Sequence, residues 1–425
     1  VIPDGGTRKT VMARMLKRYP RWLALLTVVG PGIIAASAGN DAGGISTYSV
    51  AGARYGYMTL WAMLAMTPSF AMVQEMAGRM GAVTGKGFAS LIRERYGLRL
   101  TFLAMMLLLA STAATTAAEF AGVAAALELF GVSRFVAVPA AAVVVWLLVV
   151  RGSYRNVERV LLLMSLVFVS YIIAAFLARP DWGDVATGLL VPRVELSVAF
   201  AALLIGMTGT TIAPWMQFLV QSNIVDKGTS AREWSVARWD VIAGAVAANV
   251  IACFIIITTG AVLFPAGIQV TSAAEAASAL APLAGRYATA LFAAGLLSAS
   301  VLSAAVLPLT ASYSICEAFG WERGLDHGWA QAPAFNGLYT AVIASGAGFI
   351  LLPGLSLISI MLVSQVVNGV LLPFLLLFMI KIVNDRRIMG GHVNGPVFNA
   401  FSWLTIVVVI ALTVAVLGMT ILGWG

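Results

Sequence analysis

Residues 30–57 read GPGIIAASAGNDAGGISTYSVAGARYGY. Apolar residues flank both ends of this stretch. Its middle, SAGNDAGG (37–44), instead gathers three glycines with Asn40 and Asp41, a composition that favours an unwound turn over a helix. Residues 203–225, LLIGMTGTTIAPWMQFLVQSNIV, repeat the pattern. There the middle, TGTTIAPW (208–215), holds Gly209, three threonines and Pro214, and proline removes a backbone donor and clashes with the preceding turn. Each apolar segment is therefore interrupted near its centre. Inside a membrane such a break is tolerated only where it is buried in protein or lines a wet cavity.

The composition supplies the membrane. Of 425 residues, 60% are hydrophobic and only 10% charged, against roughly 25% charged in soluble domains. An ordinary soluble enzyme, a disordered chain and a nucleic-acid-binding protein are excluded. About eleven apolar segments are long enough to span a bilayer, near 22–56, 57–80, 100–130, 134–150, 158–178, 196–225, 237–264, 286–316, 335–353, 356–382 and 397–424. The interrupted ones are the first and the sixth. Five-helix repeats of inverted topology place broken helices at their interface, and substrate binds there. The expected architecture is an all-α polytopic membrane protein. A basic arm (1–21) precedes a single transport domain (22–425), made of repeat one (22–178), repeat two (196–382) and an extra helix (397–424). The first segment is no cleaved signal peptide, since apolar sequence continues past its small-residue break.

The loops orient the chain. With the N-terminus in the cytoplasm, 21 of the 26 basic residues fall on the cytoplasmic side, and only Arg54, Arg134, Arg179, Arg193 and Arg286 lie outside. That follows the positive-inside rule and leaves the C-terminus outside. The expected location is a prokaryotic inner membrane. Cys253 and Cys316 sit in apolar runs and form neither a disulfide framework nor a metal pattern.

Asp41 is the sharpest candidate. A carboxylate at mid-membrane is costly and is functional by default; its structural alternative is to cap the helix that follows. Freed carbonyls near Ala38 and Thr210 are candidate oxygen ligands. Glu119, in TTAAEFAGVA (115–124), is the other deep acid, able to bind an ion, bond across helices or relay a proton. Asp240, Glu75, Glu128 and Glu317 lie near segment ends and are expected at the interface. Gln217 follows the second break. Gln365 and Asn368 are polar at depth, able to face an ion through water or to bond between helices. The histidines, His327 and His392, both fall in loops. No His-Glu-x-x-His, paired membrane aspartates or Gly-x-Ser-x-Gly appears, so no enzyme is expected.

Several stretches resemble the Nramp family of divalent-metal transporters. GPGIIAASAGNDAGGISTY (30–48) is similar to its first helix, RMGAVTGKGFASLIRERYG (79–97) to the loop after its second, ARWDVIAGAVAANV (237–250) to its seventh and SQVVNGVLLPF (364–374) to its tenth. The resemblance implies the broken-helix fold first seen in amino-acid transporters. It also implies a divalent ion as transported substrate, the lipid bilayer as partner, no resident cofactor and no nucleic acid; a monomer is favoured. Aligned on Asp41, the family's Asn falls on Gly44. In the sixth helix, where the family has Met-Pro-His-Asn, this chain reads APWM, so Ala213 replaces the metal-binding Met and Trp215 the His. The family's second His falls on Val220 and its third-helix Asp on Thr116, while its Glu is kept as Glu119. These departures resemble the Nramp-related magnesium transporters. Losing a thioether leaves oxygen donors, and a wider cavity suits an ion that keeps its waters. Met216, three residues along, is read as packing. The resulting expectation is a Mg²⁺ carrier, also passing Mn²⁺, with no proton coupling because no histidine lies in the membrane. The alternative is a proton-coupled Mn²⁺ or Fe²⁺ carrier.

Overall fold

The structure is a computed structural model that describes residues 41–150, 169–324 and 328–421. The basic arm, the first half of the first segment with Ala38, and His327 lie outside the described residues.

The described chain is helical from end to end. The second half of the first segment is α1 (Ala42–Tyr55). Then come α2 (Leu60–Thr84), α3 (Phe88–Glu128), α4 (Arg134–Val150), α5 (Val169–Leu177) and α6 (Trp182–Leu190). The sixth segment is two helices, α7 (Val198–Thr211) and α8 (Pro214–Asp226). They are followed by α9 (Ala231–Val262), the short α10 (Ala273–Ser278) and α11 (Ala281–Ala284), α12 (Ala288–Phe319), α13 (Pro333–Ile350), α14 (Leu357–Val383), α15 (Arg386–Met389) and α16 (Pro396–Ile421). Among the described residues, six helical stretches are long and apolar enough to cross a membrane by length and composition.

The second break is tighter than the composition suggested, and the described side of the first is helical from Ala42. Asp41 has extended backbone and caps α1, its Oδ1 accepting from Gly44 N–H at 2.7 Å. Gly43 and Gly44 are therefore helical, in the first turn of α1. In the sixth segment only Ile212 and Ala213 leave the helix. Pro214 opens α8, where its missing N–H costs nothing and its fixed φ suits a first turn. The threonines before it can stay helical by bonding back one turn, as Thr208 Oγ1 to Leu204 O (2.8 Å) and Thr211 Oγ1 to Met207 O (2.7 Å) show.

The stretch 79–97, expected as a loop, is mostly helix. α2 runs to Thr84 and α3 starts at Phe88, with Gly85 (φ 64°) making the turn. Gly97 (φ 71°, ψ −173°) then divides α3 into a short piece and a long one. Glu75, expected at the interface, is covered by protein. It is buried inside α2, paired with Arg79 (3.2 Å) and accepting from Trp234 Nε1 (3.2 Å).

Small residues set the packing around α1, which is buried along almost its whole length. A Cβ on Gly209 would collide with the Gln365 carbonyl and with Gly369 N. One on Gly369 would collide with the Ile205 carbonyl, so α7 and α14 meet backbone to backbone. Gly52 gives the same close approach of α1 to α9, at Ile256 and Gly260. Within a bilayer, where no hydrophobic force joins helices, such contacts carry the association.

Candidate metal site

The site is built where α1 begins. Asp41 is 2% exposed, and Gly44 N–H holds one of its oxygens. Behind it, α3 presents Ser111, Thr115 and Glu119, spaced by four residues and so aligned on one face. Glu119 Oε2 accepts from Ala42 N–H at 3.3 Å, while its Oε1 has no protein partner. The two deep carboxylates thus both accept from N–H groups of the same helix start, Asp41 from Gly44 and Glu119 from Ala42. Among the described residues neither has an ion-pair partner. Two acids so placed, in a low dielectric, favour any cation that enters between or beside them.

From the other side α14 supplies an amide. The side chain of Gln365 fills the space a Cβ on Gly43 would need and lies beside the Asp41 carboxyl group. Asn368 fixes it: Asn368 Nδ2 donates to Gln365 Oε1 (3.2 Å) and to Thr115 Oγ1 (2.9 Å), and Asn368 Oδ1 accepts from Ser111 Oγ (2.6 Å). Gly209 packs on the Gln365 carbonyl, which brings the end of α7 to the same place. Tyr48 closes the join. α1 side chains lean toward its N-terminus, and the Tyr48 hydroxyl meets Thr211 Oγ1 at 2.9 Å.

Of the sequence candidates, then, Asp41, Gly44, Glu119, Gln365 and Asn368 form one contact set. Thr210 is next to it in the last turn of α7, buried, with Oγ1 unpartnered. Carbonyls of a last helical turn have no intrahelical partner, so this turn can offer oxygens. Ala213 and Trp215 flank the break and are buried, and Trp215 Nε1 has no partner. Thr116 turns its methyl to α13, 3.0 Å from where a Cβ on Gly346 would sit. Gln217 lies one turn beyond Ala213, and neither of its amide atoms is bonded. Met216 faces α2, with Gln74 Nε2 3.7 Å from its sulfur, in keeping with packing. Ala38 is outside the described residues. Sequence reading missed Tyr48, Ser111 and Thr115. The four-residue spacing to Glu119 marked the last two; nothing in the sequence marked Tyr48.

Helices long and apolar enough to cross a membrane, with two buried acids at one helix start, are the features of a membrane transporter. The comparisons with known proteins give the family. The profile of the natural resistance-associated macrophage protein-like family, Nramp, matches residues 32–418, and the chain belongs to that family. It is 30% identical over 410 residues to a divalent metal cation transporter of Ralstonia nicotianae, covering 92% of this chain and 90% of the relative. It is also 30% identical over 403 residues to one of Deinococcus radiodurans, covering 91% and 88%. In fold it is similar to the manganese transporter of Eremococcus coleocola bound to an aromatic bis-isothiourea compound (TM-score 0.76, 23% identity, 98% of this chain and 88% of that one).

The comparisons overturn the expectation of a Mg²⁺ carrier, also passing Mn²⁺, without proton coupling. The relatives are divalent metal cation transporters, and nothing in the comparisons singles out a magnesium branch. The physical error is traceable. Carboxylate, carbonyl and water ligands suit Mn²⁺ as well as Mg²⁺, so losing a thioether at Ala213 does not select magnesium. The lack of a membrane histidine also proves little, because Asp41 and Glu119 stand as a pair of titratable groups at the helix start.

Proposed function

We propose that this chain is a secondary transporter carrying Mn²⁺ across a bacterial inner membrane by alternating access. The observation that supports it is the buried carboxylate of Asp41 at a helix break, faced by Gln365 and backed by Glu119. Asp41 supplies the charge that holds the ion. The Gln365 amide, backbone oxygens near Ala38 and Thr210, and the space left by Gly44 and Ala213 complete a shell of oxygens and water. Glu119, Thr116, Trp215 and Asn368 stand behind it. On this reading eleven helices cross the membrane. They form two inverted five-helix repeats plus α16 in a single domain, with the arm 1–21 in the cytoplasm and the C-terminus outside. The basic residues are distributed that way. The working unit is a monomer.

The test is Mn²⁺ uptake into proteoliposomes holding a metal-quenched dye. The wild-type chain quenches the dye above protein-free vesicles, and Asp41→Ala lowers the rate about hundredfold or more while keeping the melting profile. Wild-type rates in a folded Asp41→Ala variant would remove Asp41 from the site.

A further inference from the structure

The inner half of α8 carries polar groups that the metal site does not use. Gln217 is 1% exposed, and neither its oxygen nor its nitrogen is bonded. Gln221, one turn on, is fully buried; its Nε2 donates to the Lys86 carbonyl at 2.8 Å, and its Oε1 has no partner. On α2, Gln74 Oε1 is also buried and unpartnered, and Gln74 Nε2 lies 3.7 Å from the sulfur of Met216, the residue before Gln217. An unsatisfied buried amide oxygen costs about 1–3 kcal/mol, and leucine would fill any of these positions without that cost. Three such oxygens in the facing parts of two helices therefore call for a visitor that bonds them.

Their order gives the visitor a direction. Ala213, Gln217 and Gln221 follow one another at four-residue intervals, each stacked on the next along α8, with about 6 Å of rise per step. The series begins at the break beside the metal site. It ends where α8 meets the turn between α2 and α3: a Cβ on Gly81 would lie 2.9 Å from the Gln221 carbonyl, and Lys86 sits in that turn. Arg93 and Arg95 follow Lys86 in the sequence, which marks this end as the basic face of the domain.

We infer that the carbonyl oxygens of Gln217 and Gln221, with that of Gln74, form a ladder by which the divalent cation passes, in part hydrated, between the Asp41 site and the basic face. Amide oxygens are hard, neutral ligands. They hold a dication less tightly than a carboxylate does, and this suits an exit better than a resting place. The bond from Gln221 to the Lys86 carbonyl fixes the last rung to the α2–α3 turn. The inference rests on the proposed Mn²⁺ transport and goes beyond it by assigning the path.

The experiment measures Mn²⁺ uptake in proteoliposomes over a range of concentrations, with Gln217→Leu and Gln221→Leu beside the wild-type and Asp41→Ala chains. Both leucine variants preserve side-chain bulk. The maximal rate falls about tenfold in each with little change in KM, and Gln217→Asn, which keeps a shorter amide, recovers part of the loss. Size-exclusion and melting profiles accompany every variant; if Gln217→Leu fails to fold, Gln221→Leu and Gln217→Asn carry the same comparison. Wild-type maximal rates in the folded leucine variants overturn the ladder. So does a raised KM at unchanged maximal rate, which would put the amides at the resting ion. A wild-type chain that takes up no Mn²⁺, or an active Asp41→Ala, overturns the transport reading itself, whereas normal wild-type uptake with unaffected leucine variants overturns only the ladder.

Discussion

At the scale of single residues, what distinguishes this site is how its polar groups are held. Asn368 satisfies three partners at once, Gln365, Thr115 and Ser111, and all four residues are buried. Replacing it with leucine leaves the Ser111 hydroxyl and the Gln365 carboxamide oxygen without a partner, while Thr115 Oγ1 keeps its bond to the Ser111 carbonyl. Each buried orphan costs about 1–3 kcal/mol. Asn368→Leu should therefore lower the melting temperature and, because Gln365 loses its brace beside Asp41, raise the KM for Mn²⁺. A folded Asn368→Leu variant with unchanged KM would show that Gln365 needs no brace from Asn368. Tyr48 offers a finer probe. Tyr48→Phe removes only the 2.9 Å bond to Thr211, worth about 1 kcal/mol, and keeps the ring. It should slow uptake roughly fivefold or less with little loss of stability, since the bond joins α1 to the end of α7 and not to the ion.

At the scale of elements, the close crossing of α7 and α14 is the feature most exposed to test. A methyl on Gly209 has no room against the Gln365 carbonyl and Gly369, and neither obstacle is a movable side-chain end. Gly209→Ala should destabilise the protein by about 1–3 kcal/mol or more and displace Gln365. Gly337→Ala, in α13, meets nothing within 4 Å and should be neutral or stabilising, by up to about 1 kcal/mol of helix propensity. Equal melting temperatures for the two variants would refute the crossing. These elements also show how far sequence alone reaches. Pro214 and the glycines around Asp41 located both breaks, because their backbone chemistry is local. The widths of the breaks were not legible. Whether Thr208–Thr211 and Gly43–Gly44 stay helical depends on bonds to the preceding turn and on Asp41 as cap, which composition does not report. The chain from Arg79 to Gly97 looked like a loop for the same reason: its charges and glycines are loop-like, but Phe88, Leu91 and Ile92 bury one face and make it a helix. Asp41 and Glu119 were readable as deep acids. Their adjacency was not, since it arises from α1 crossing α3 77 positions away.

At the scale of the whole molecule, the balance of charge around the site decides how the transporter answers to the membrane potential. Asp41 and Glu119 are the acids at the break, and among the described residues no Lys or Arg pairs with either. The site can therefore take a dication without first expelling a resident cation from an ion pair, and the loaded form is more positive than the empty one by the charge of the ion. Each elementary charge carried across the membrane gains about 2.3 kcal/mol per 100 mV, so a dication gains about 4.6 kcal/mol when the interior is negative. The basic residues do not cancel this, because most of them lie outside the apolar segments, where they are screened within about 10 Å at ordinary ionic strength. The prediction is that Mn²⁺ uptake is electrogenic. Proteoliposomes loaded with potassium, diluted into sodium medium and treated with valinomycin become negative inside, and Mn²⁺ uptake should accelerate several-fold over vesicles with equal potassium on both sides. Reversing the gradient should suppress it. Raising ionic strength with an impermeant salt should leave the response intact, because the charge that moves is the buried ion and not a surface group. Uptake that is indifferent to the sign of the potential would mean that the return of the empty site, or the release of an equal charge in exchange, cancels the dication. An ion bound by Asp41 alone would then no longer account for the transport cycle.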